Sequence, residues 1–228
     1  MSQIDETYLE LMYELNILAD PAWTEKLAHF GSHPGKALGI PMPKIPALAR
    51  GRKSHELALR LWESGIHEAR LLAGMVAEPA KVTREQMDQW VRQFDSWDVC
   101  DAVCLNSFVK TPFAKDFALT WCHEEQEFVR RAGFVLMAIL AIQKKKEGDE
   151  YFNPFFPLIL EYATDGRNFV KKAVNWALRQ IGKKNPALRV KALQTAEMML
   201  EMESASAKWI AKDAIKELQD YKFRRSPK

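Results

Sequence analysis

The chain has 228 residues, of which 47% are hydrophobic and 28% charged, and its formal net charge is +3. This composition is typical of a soluble globular protein with a core large enough for a single domain. No run of eighteen apolar residues occurs and the first residues are acidic, which argues against a membrane span and a secretory leader. The three cysteines, an odd number, indicate reduced thiols, so we expect a cytoplasmic protein.

Apolar residues recur at helical spacing along the whole chain, and no stretch shows the period-two alternation of a half-buried strand. The sequence therefore predicts an all-α fold. Caps, prolines and glycines divide it into separate helices. Nine of them are predicted at residues 4–19, 21–30, 55–63, 68–77, 127–144, 155–163, 168–182, 186–202 and 205–221. Between residues 77 and 127, one helix begins at 84 after a Thr83 cap, a second begins at 96, and a third ends at about 123.

Two early segments are predicted to be irregular. Residues 31–35 (Gly-Ser-His-Pro-Gly) form a turn. Residues 39–46 contain three prolines within six positions, which predicts neither a regular helix nor a central strand there.

A five-residue pattern recurs at an offset of 41 residues. It reads Phe-Val-Arg-Arg-Ala at 128–132, Phe-Val-Lys-Lys-Ala at 169–173 and Ile-Ala-Lys-Asp-Ala at 210–214. We expect its apolar pair to fill a seam, its alanine to let helices approach, and its basic residues to face outward. Two-helix units of about 40 residues are typical of HEAT-type α-solenoids. We therefore expect one HEAT-like domain over residues 1–228, ending in a basic tail from about residue 222.

The later part of the chain is basic. Residues 165–228 carry 15 Lys and Arg against 7 Asp and Glu, whereas the first 164 residues carry 18 and 23. This asymmetry suggests contact with a polyanion, although a lysine-rich helical surface without such a partner explains it equally well.

The repeat register brings several of these basic residues to one side. Arg131 and Lys172 are 41 residues apart, Trp176 follows one turn later, and Lys171, Arg179 and Lys183 lie on or near the same face. Because one helix of each repeat lines the concave side of a solenoid, these residues predict a concave basic groove with aromatic side chains. Such a groove suits a nucleic-acid duplex, whose phosphates supply most of the affinity.

The segment Ser-Trp-Asp-Val-Cys-Asp at residues 96–101 opens the central predicted helix. Trp97 and Asp101 are four residues apart, so their Cβ atoms should lie about 5–6 Å apart on one face. An indole ring beside a carboxylate can bind a cation. The plainer interpretation is a partly exposed tryptophan beside a solvated aspartate.

These motifs make the chain resemble the AlkD-type family of DNA alkylation repair glycosylases. The resemblance is carried by residues 96–101, 128–132 and 168–179 and extends from about 39 to 186, with residues 144–149 as an extension between repeats. It implies a HEAT-like solenoid and removal of cationic alkylated purines, such as 3-methyladenine and 7-methylguanine, from double-stranded DNA. No cofactor, metal or membrane partner is expected.

The resemblance also implies roles for single residues. The family's catalytic aspartate falls on Asp101, its aromatic partners on Trp97 and Trp176, and its phosphate-binding arginine on Arg131, with Arg130 as the alternative. We expect a monomeric, monofunctional enzyme that leaves the strand intact, whether the base is flipped out or attacked in the stack. The further DNA-contacting residues would be Arg130, Lys171, Lys172, Arg179 and Lys183.

Other candidate groups are expected to have structural roles. The apolar helical surroundings indicate buried thiols, and not a metal site, for Cys100, Cys104 and the Cys122-His123 pair. His67-Glu68 favours capping and surface placement over a general base. Packing in the core is expected for Trp62, Trp90, Trp121 and Trp209.

Two function classes remain open from the sequence. The first is a glycosylase for cationic lesions, and the second is a non-catalytic HEAT module that binds DNA or a protein through the same groove. Asp101 favours the enzyme, because a surface that only binds phosphates gains nothing from a carboxylate in its floor.

Overall fold

The computed structural model describes residues 2–29 and 35–223, without the side chains of 27–29, and within them every regular element is helical. The all-α prediction is confirmed. Most of the turn predicted at 31–35, and the basic tail from residue 224 onward, lie outside the described residues. The chain divides after Phe113 into two compact units.

The first unit contains seven α-helices among its described residues. They are α1 (Gln3–Leu18), α2 (Pro21–His29), α3 (Ile45–Ala49), α4 (His55–Glu63), α5 (His67–Val76), α6 (Arg84–Val91) and α7 (Trp97–Asn106). Short 3-10 turns at Met42–Lys44, Pro79–Lys81 and Phe108–Lys110 connect some of them. The threonine cap is confirmed, since the Thr83 hydroxyl accepts a hydrogen bond from the Gln86 N–H.

Helix α3 corrects the expectation that residues 39–46 would contain no helix. Ile45 and Pro46 occupy its first turn, where a proline is tolerated because its missing N–H would have had no partner inside the helix. Gly39 lies within the preceding irregular segment with φ +77°, and a Cβ there would lie 2.1 Å from the Asp20 carbonyl oxygen. A glycine is therefore required at this position.

The second unit contains seven further α-helices within the described chain. They are α8 (Ala114–Trp121), α9 (Glu127–Gln143), α10 (Asp149–Phe152), α11 (Phe155–Glu161), α12 (Asn168–Gly182), α13 (Pro186–Leu200) and α14 (Ala205–Asp220). Asn185 caps α13 through the Leu188 N–H, and Pro186 is its first residue. The four-residue α10 was not expected.

The 41-residue repeat is visible in the packing of this unit. Helices α9 and α12 begin 41 residues apart, and the rings of Phe128 and Phe169, one in each repeat, are 5.5 Å apart. The repeated alanines are buried, at 0% exposure for Ala132, 1% for Ala173 and 0% for Ala214. The small residue therefore lets equivalent helices approach, as the pattern predicts.

Helix α7 packs closely against α5 in the first unit. A Cβ added to Gly74 of α5 would lie 3.0 Å from the Val103 Cα of α7. Glycine at position 74 thus permits direct backbone contact between the two helices, and this contact helps to fix α7.

Within the described residues, no helix combines the length and apolar character needed to cross a membrane.

Candidate functional site

The first group of candidate residues lies at the start of α7. Trp97 is the first residue of the helix and Asp101 lies one turn later, and both side chains are partly buried. The helical spacing expected for this pair is confirmed. It places an indole and a carboxylate on one face, with about 5–6 Å between their Cβ atoms.

A buried ion pair holds this end of α7. His67 of α5 is only 3% exposed, and its Nε2 lies 3.0 Å from Oδ2 of Asp98, the residue after Trp97. The other oxygen of Asp98 accepts a hydrogen bond from the Val99 N–H. Ser96 takes the N-cap position without a capping side-chain bond, so the pair with α5 supplies the anchor that the cap does not.

The ionisation of this pair follows from its surroundings. Burial opposes a charge on His67, but the hydrogen bond and negative charge of Asp98 outweigh it and raise the pKa of His67. Burial also opposes a charge on Asp98, but the hydrogen bond from His67 outweighs that effect and lowers its pKa. Both groups are therefore stabilised in their charged forms.

The surface placement expected for His67 and Glu68 is wrong. Glu68 is 0% exposed, and its carboxylate accepts hydrogen bonds from the N–H groups of Leu38, Gly39 and Ile40, at 2.8–3.0 Å. It holds the irregular segment before α3 rather than facing water. The contacts are 28–30 residues apart in the chain, so no local pattern reveals them.

The second group lies along α12. Lys172, Trp176, Arg179 and Lys183 are spaced by four, three and four residues, which places them on one helical face. Lys172 is exposed and the other three are partly exposed, while the opposite face is buried. The part of the predicted face that lies on α12 is therefore present, and the concave groove stays a prediction.

Two cations of this face are neutralised by helix α14. Glu217 of α14 forms salt bridges with both Arg179 and Lys183, and Asp213 lies 3.4 Å from Arg179. Asp213 also accepts a hydrogen bond from Asn175 at 2.7 Å. Because Asp213 stands where the two earlier repeats have Arg131 and Lys172, the acidic deviation in the third repeat is the sequence signal of this neutralisation.

The outward orientation expected for Arg131 is wrong. Its side chain is 6% exposed and donates a hydrogen bond to the Phe169 carbonyl at 2.7 Å, because this part of α9 packs against the first turn of α12. Its contact with a DNA phosphate stays a prediction.

The alternative, Arg130, is also engaged. Its guanidinium lies 2.7 Å from the Asp165 carboxylate and 4.6 Å from the centre of the Tyr162 ring. Burial opposes a charge on Asp165, but hydrogen bonds from Arg167 and Arg130 outweigh it and lower the pKa of Asp165 to about 2.

Lys171 points at an aromatic ring instead of open solvent. Its Nζ lies 4.9 Å from the ring centre of Trp209, which is 41% exposed. The core position expected for Trp209 is therefore wrong, because this part of α14 faces solvent and shields a lysine. Trp62, Trp90 and Trp121 are buried as predicted, at 2–4% exposure.

The three cysteines are buried free thiols, as predicted. Burial raises the pKa of Cys122 to about 12, so this thiol stays protonated and is a poor nucleophile or metal ligand. The described part of the chain contains no group of three His, Cys, Asp or Glu side chains that could hold a metal ion.

Comparison with solved structures identifies the fold. A structure described as a new family of proteins related to the HEAT-like repeat DNA glycosylases, with affinity for branched DNA structures, matches with a TM-score of 0.75. The match covers 92% of this chain and 94% of that chain at 19% identity. It confirms the HEAT-like helical-repeat fold predicted from the 41-residue period.

Comparison by sequence identifies the family. No curated protein gives a significant match. The sequence profile of a family described as "DNA alkylation repair enzyme" matches residues 11–218, which is nearly the whole chain. The protein therefore belongs to the DNA alkylation repair enzyme family.

Proposed function

We propose that the protein is a monofunctional DNA glycosylase that removes cationic N3- and N7-alkylated purines from duplex DNA by hydrolysing the N-glycosidic bond. The observation that carries this proposal is the pair of Asp101 and Trp97 on one face of α7, next to the buried Asp98–His67 pair. Family membership supports a role in DNA alkylation repair.

The chemistry of the lesion explains why a carboxylate is useful. An alkylated purine already carries a positive charge, so it leaves as a neutral base without a strong general acid. The sugar left behind resembles an oxocarbenium ion, as in glycoside hydrolysis. The carboxylate of Asp101 stabilises this positive charge and orients or deprotonates the attacking water.

Indole rings support the same step. The faces of Trp97 and Trp176 attract a cation, and each such contact contributes about 0.5–2 kcal/mol. Both side chains are partly exposed, which leaves ring surface for a ligand.

Phosphate contacts position the DNA without reading its sequence. We assign them first to Lys172, which is exposed, and then to Lys171 on the neighbouring face. Arg179 and Lys183 contribute less to DNA affinity than two unpaired cations would, because Glu217 neutralises them. We expect less from Arg131, which is buried, and from Arg130, which is paired with Asp165.

The direct test is release of free 7-methylguanine and 3-methyladenine from methylated duplex DNA, separated by chromatography and compared with spontaneous loss at the same pH. The proposal predicts protein-dependent release that leaves an abasic site, with strand breaks only after alkali treatment. Binding of the duplex without release of either base would overturn it. Strand cleavage without alkali would contradict the monofunctional assignment.

A second candidate, a non-catalytic DNA-binding module, is favoured by the description of the structural neighbour, which has affinity for branched DNA. Titration of a four-way junction and of a linear duplex of equal length separates the two. The module predicts at least tenfold tighter junction binding and no base release. Comparable affinities together with base release favour the glycosylase.

A further inference from the structure

A cavity of about 470 Å³ lies in the second unit, near the carboxyl ends of α9, α12 and α14. Its apolar part consists of Ala141 and of Ile142, which is 45% exposed. Its polar lining consists of Lys145, Gln180, Lys183, Lys184 and Tyr221.

Hydrogen-bond donors dominate this lining. Three ammonium groups, one amide and one phenol surround the cavity, and no carboxylate is among its lining residues in the described chain. Lys183 is partly neutralised by Glu217, and Lys184 donates to the Lys144 carbonyl. Lys145 is exposed and forms no salt bridge within the described residues, so its charge is available to an anion.

We infer that this cavity is a phosphate-binding site that receives a phosphodiester of the DNA backbone. The inference rests on the DNA-binding part of the proposed function and not on base excision. Burial lowers the pKa of both Lys183 and Lys184, and a bound phosphate stabilises their charged forms. The Tyr221 ring and the exposed Ile142 side chain provide apolar surface for the adjoining sugar.

The position of the cavity along α12 favours a polymer over a small anion. Lys172 and Lys183 are eleven residues apart, which corresponds to about 16 Å along a helix. Lys172, in the second turn of α12, and Lys183, just after its last residue, therefore meet phosphates that a nucleic-acid backbone can supply together and a single phosphate ion cannot. Lys145 lies in the extension after α9, so this chain adds a cation that the repeat pattern does not predict.

Two neighbouring lysines provide a matched test. Lys145 lines the cavity, whereas Lys146 is exposed and does not line it. Lys145→Gln and Lys146→Gln remove the same charge from the same segment. Binding of an unmethylated duplex by the full chain is measured by fluorescence anisotropy over a series of salt concentrations.

We expect Lys145→Gln to weaken binding at least threefold and to reduce the salt slope by about 0.9, which corresponds to one lost phosphate contact. Lys146→Gln should change the affinity by less than 1.5-fold. Equal effects of the two substitutions, or no effect of either, would overturn the site.

A second arm separates DNA from a free phosphate compound. Deoxyadenosine monophosphate is titrated into the native protein and followed by NMR. Saturable binding that Lys145→Gln abolishes, with unchanged duplex affinity, would assign the cavity to a mononucleotide and overturn the DNA assignment. Base release is assayed separately, so a native protein that binds DNA through Lys145 but releases no base keeps this site and loses the proposed excision.

Discussion

The start of α7 and the exposed face of α12 both carry charged side chains beside an indole, but different ion pairs hold them. At α7, a buried pair 3.0 Å apart joins Asp98 to His67 of α5, and the side chains are 12% and 2% exposed. On α12, Arg179 and Lys183 meet Glu217 of α14, and the three side chains remain 25%, 19% and 32% exposed.

This difference in burial indicates different roles. A buried pair is costly to break, because either partner left alone is a desolvated charge, so it fixes the helix that carries Trp97 and Asp101. Partly exposed pairs contribute little to stability and mainly change the local charge. The α7 region is therefore built for fixed geometry, and the α12 face for adjustable attraction to an anion.

The largest effect is expected from breaking the buried pair. Asp98→Asn should lower the free energy of unfolding by about 3 kcal/mol at pH 6, because His67 loses its partner. The matched control is Asp88→Asn, which breaks an exposed salt bridge to Arg92 within one helical turn and should cost about 0.5 kcal/mol. Urea unfolding measures both, and equal losses would contradict the role given to the buried pair.

The same pair predicts how stability depends on pH. The raised pKa of His67 gives a contribution that is complete below about pH 6.5 and is lost as the pH rises through the folded-state value. The lowered pKa of Asp98 gives a contribution that is present above about pH 3.9 and is lost as the pH falls through its folded-state value. Asp95 and Glu68 add negative charge near His67 and act in the same direction.

The difference between the native protein and Asp98→Asn should therefore be largest between about pH 4 and 6.5 and should shrink above that range. Unfolding measured from pH 4 to 9 checks this. A difference that grows as the pH rises above 7 would show that His67 is not charged in the folded protein.

The helices were predictable because their signals are local. Thr83 and Pro186 mark helix starts by their own chemistry, and the 41-residue period shows which helices pack together. Pro46 was misleading, since the rule against proline in a helix does not apply to the first turn.

The site was only partly predictable. The spacing of Trp97 and Asp101, and the face of Lys172 and Trp176, follow from helical periodicity. The His67–Asp98 pair joins residues 31 apart, and the burial of Arg131 depends on the approach of α12, so neither follows from a local pattern. The neutralisation of the α12 face did have a sequence signal, because Asp213 replaces the basic residue that the earlier repeats have at this position.

An intermediate effect is expected from removing an indole on α12. Trp176→Leu should slow base release about 2- to 30-fold, which corresponds to the loss of one cation–π contact. Trp176→Phe keeps an aromatic face and should recover most of the rate. Single-turnover release at saturating protein measures this, and equal rates for the leucine and phenylalanine variants would show that the ring itself is not used.

The smallest effect is expected from releasing the neutralised cations. Glu217→Gln frees Lys183 and leaves Arg179 paired with Asp213 alone, so duplex affinity should rise about two- to fivefold and the salt slope should steepen by about 1. Glu201→Gln removes an equal charge from the residue that follows α13, where it forms no salt bridge among the described residues. An equal gain for both variants would trace the effect to net charge alone.

The central claim is that Asp101 stabilises a cationic sugar, and its most direct test separates chemistry from binding. The rate of 7-methylguanine release in a single turnover, and the affinity for the same methylated duplex, are measured for the native protein and for Asp101→Asn. We predict that the rate falls at least tenfold while the affinity changes less than threefold. An unchanged rate, or a loss explained entirely by weaker binding, would contradict the claim.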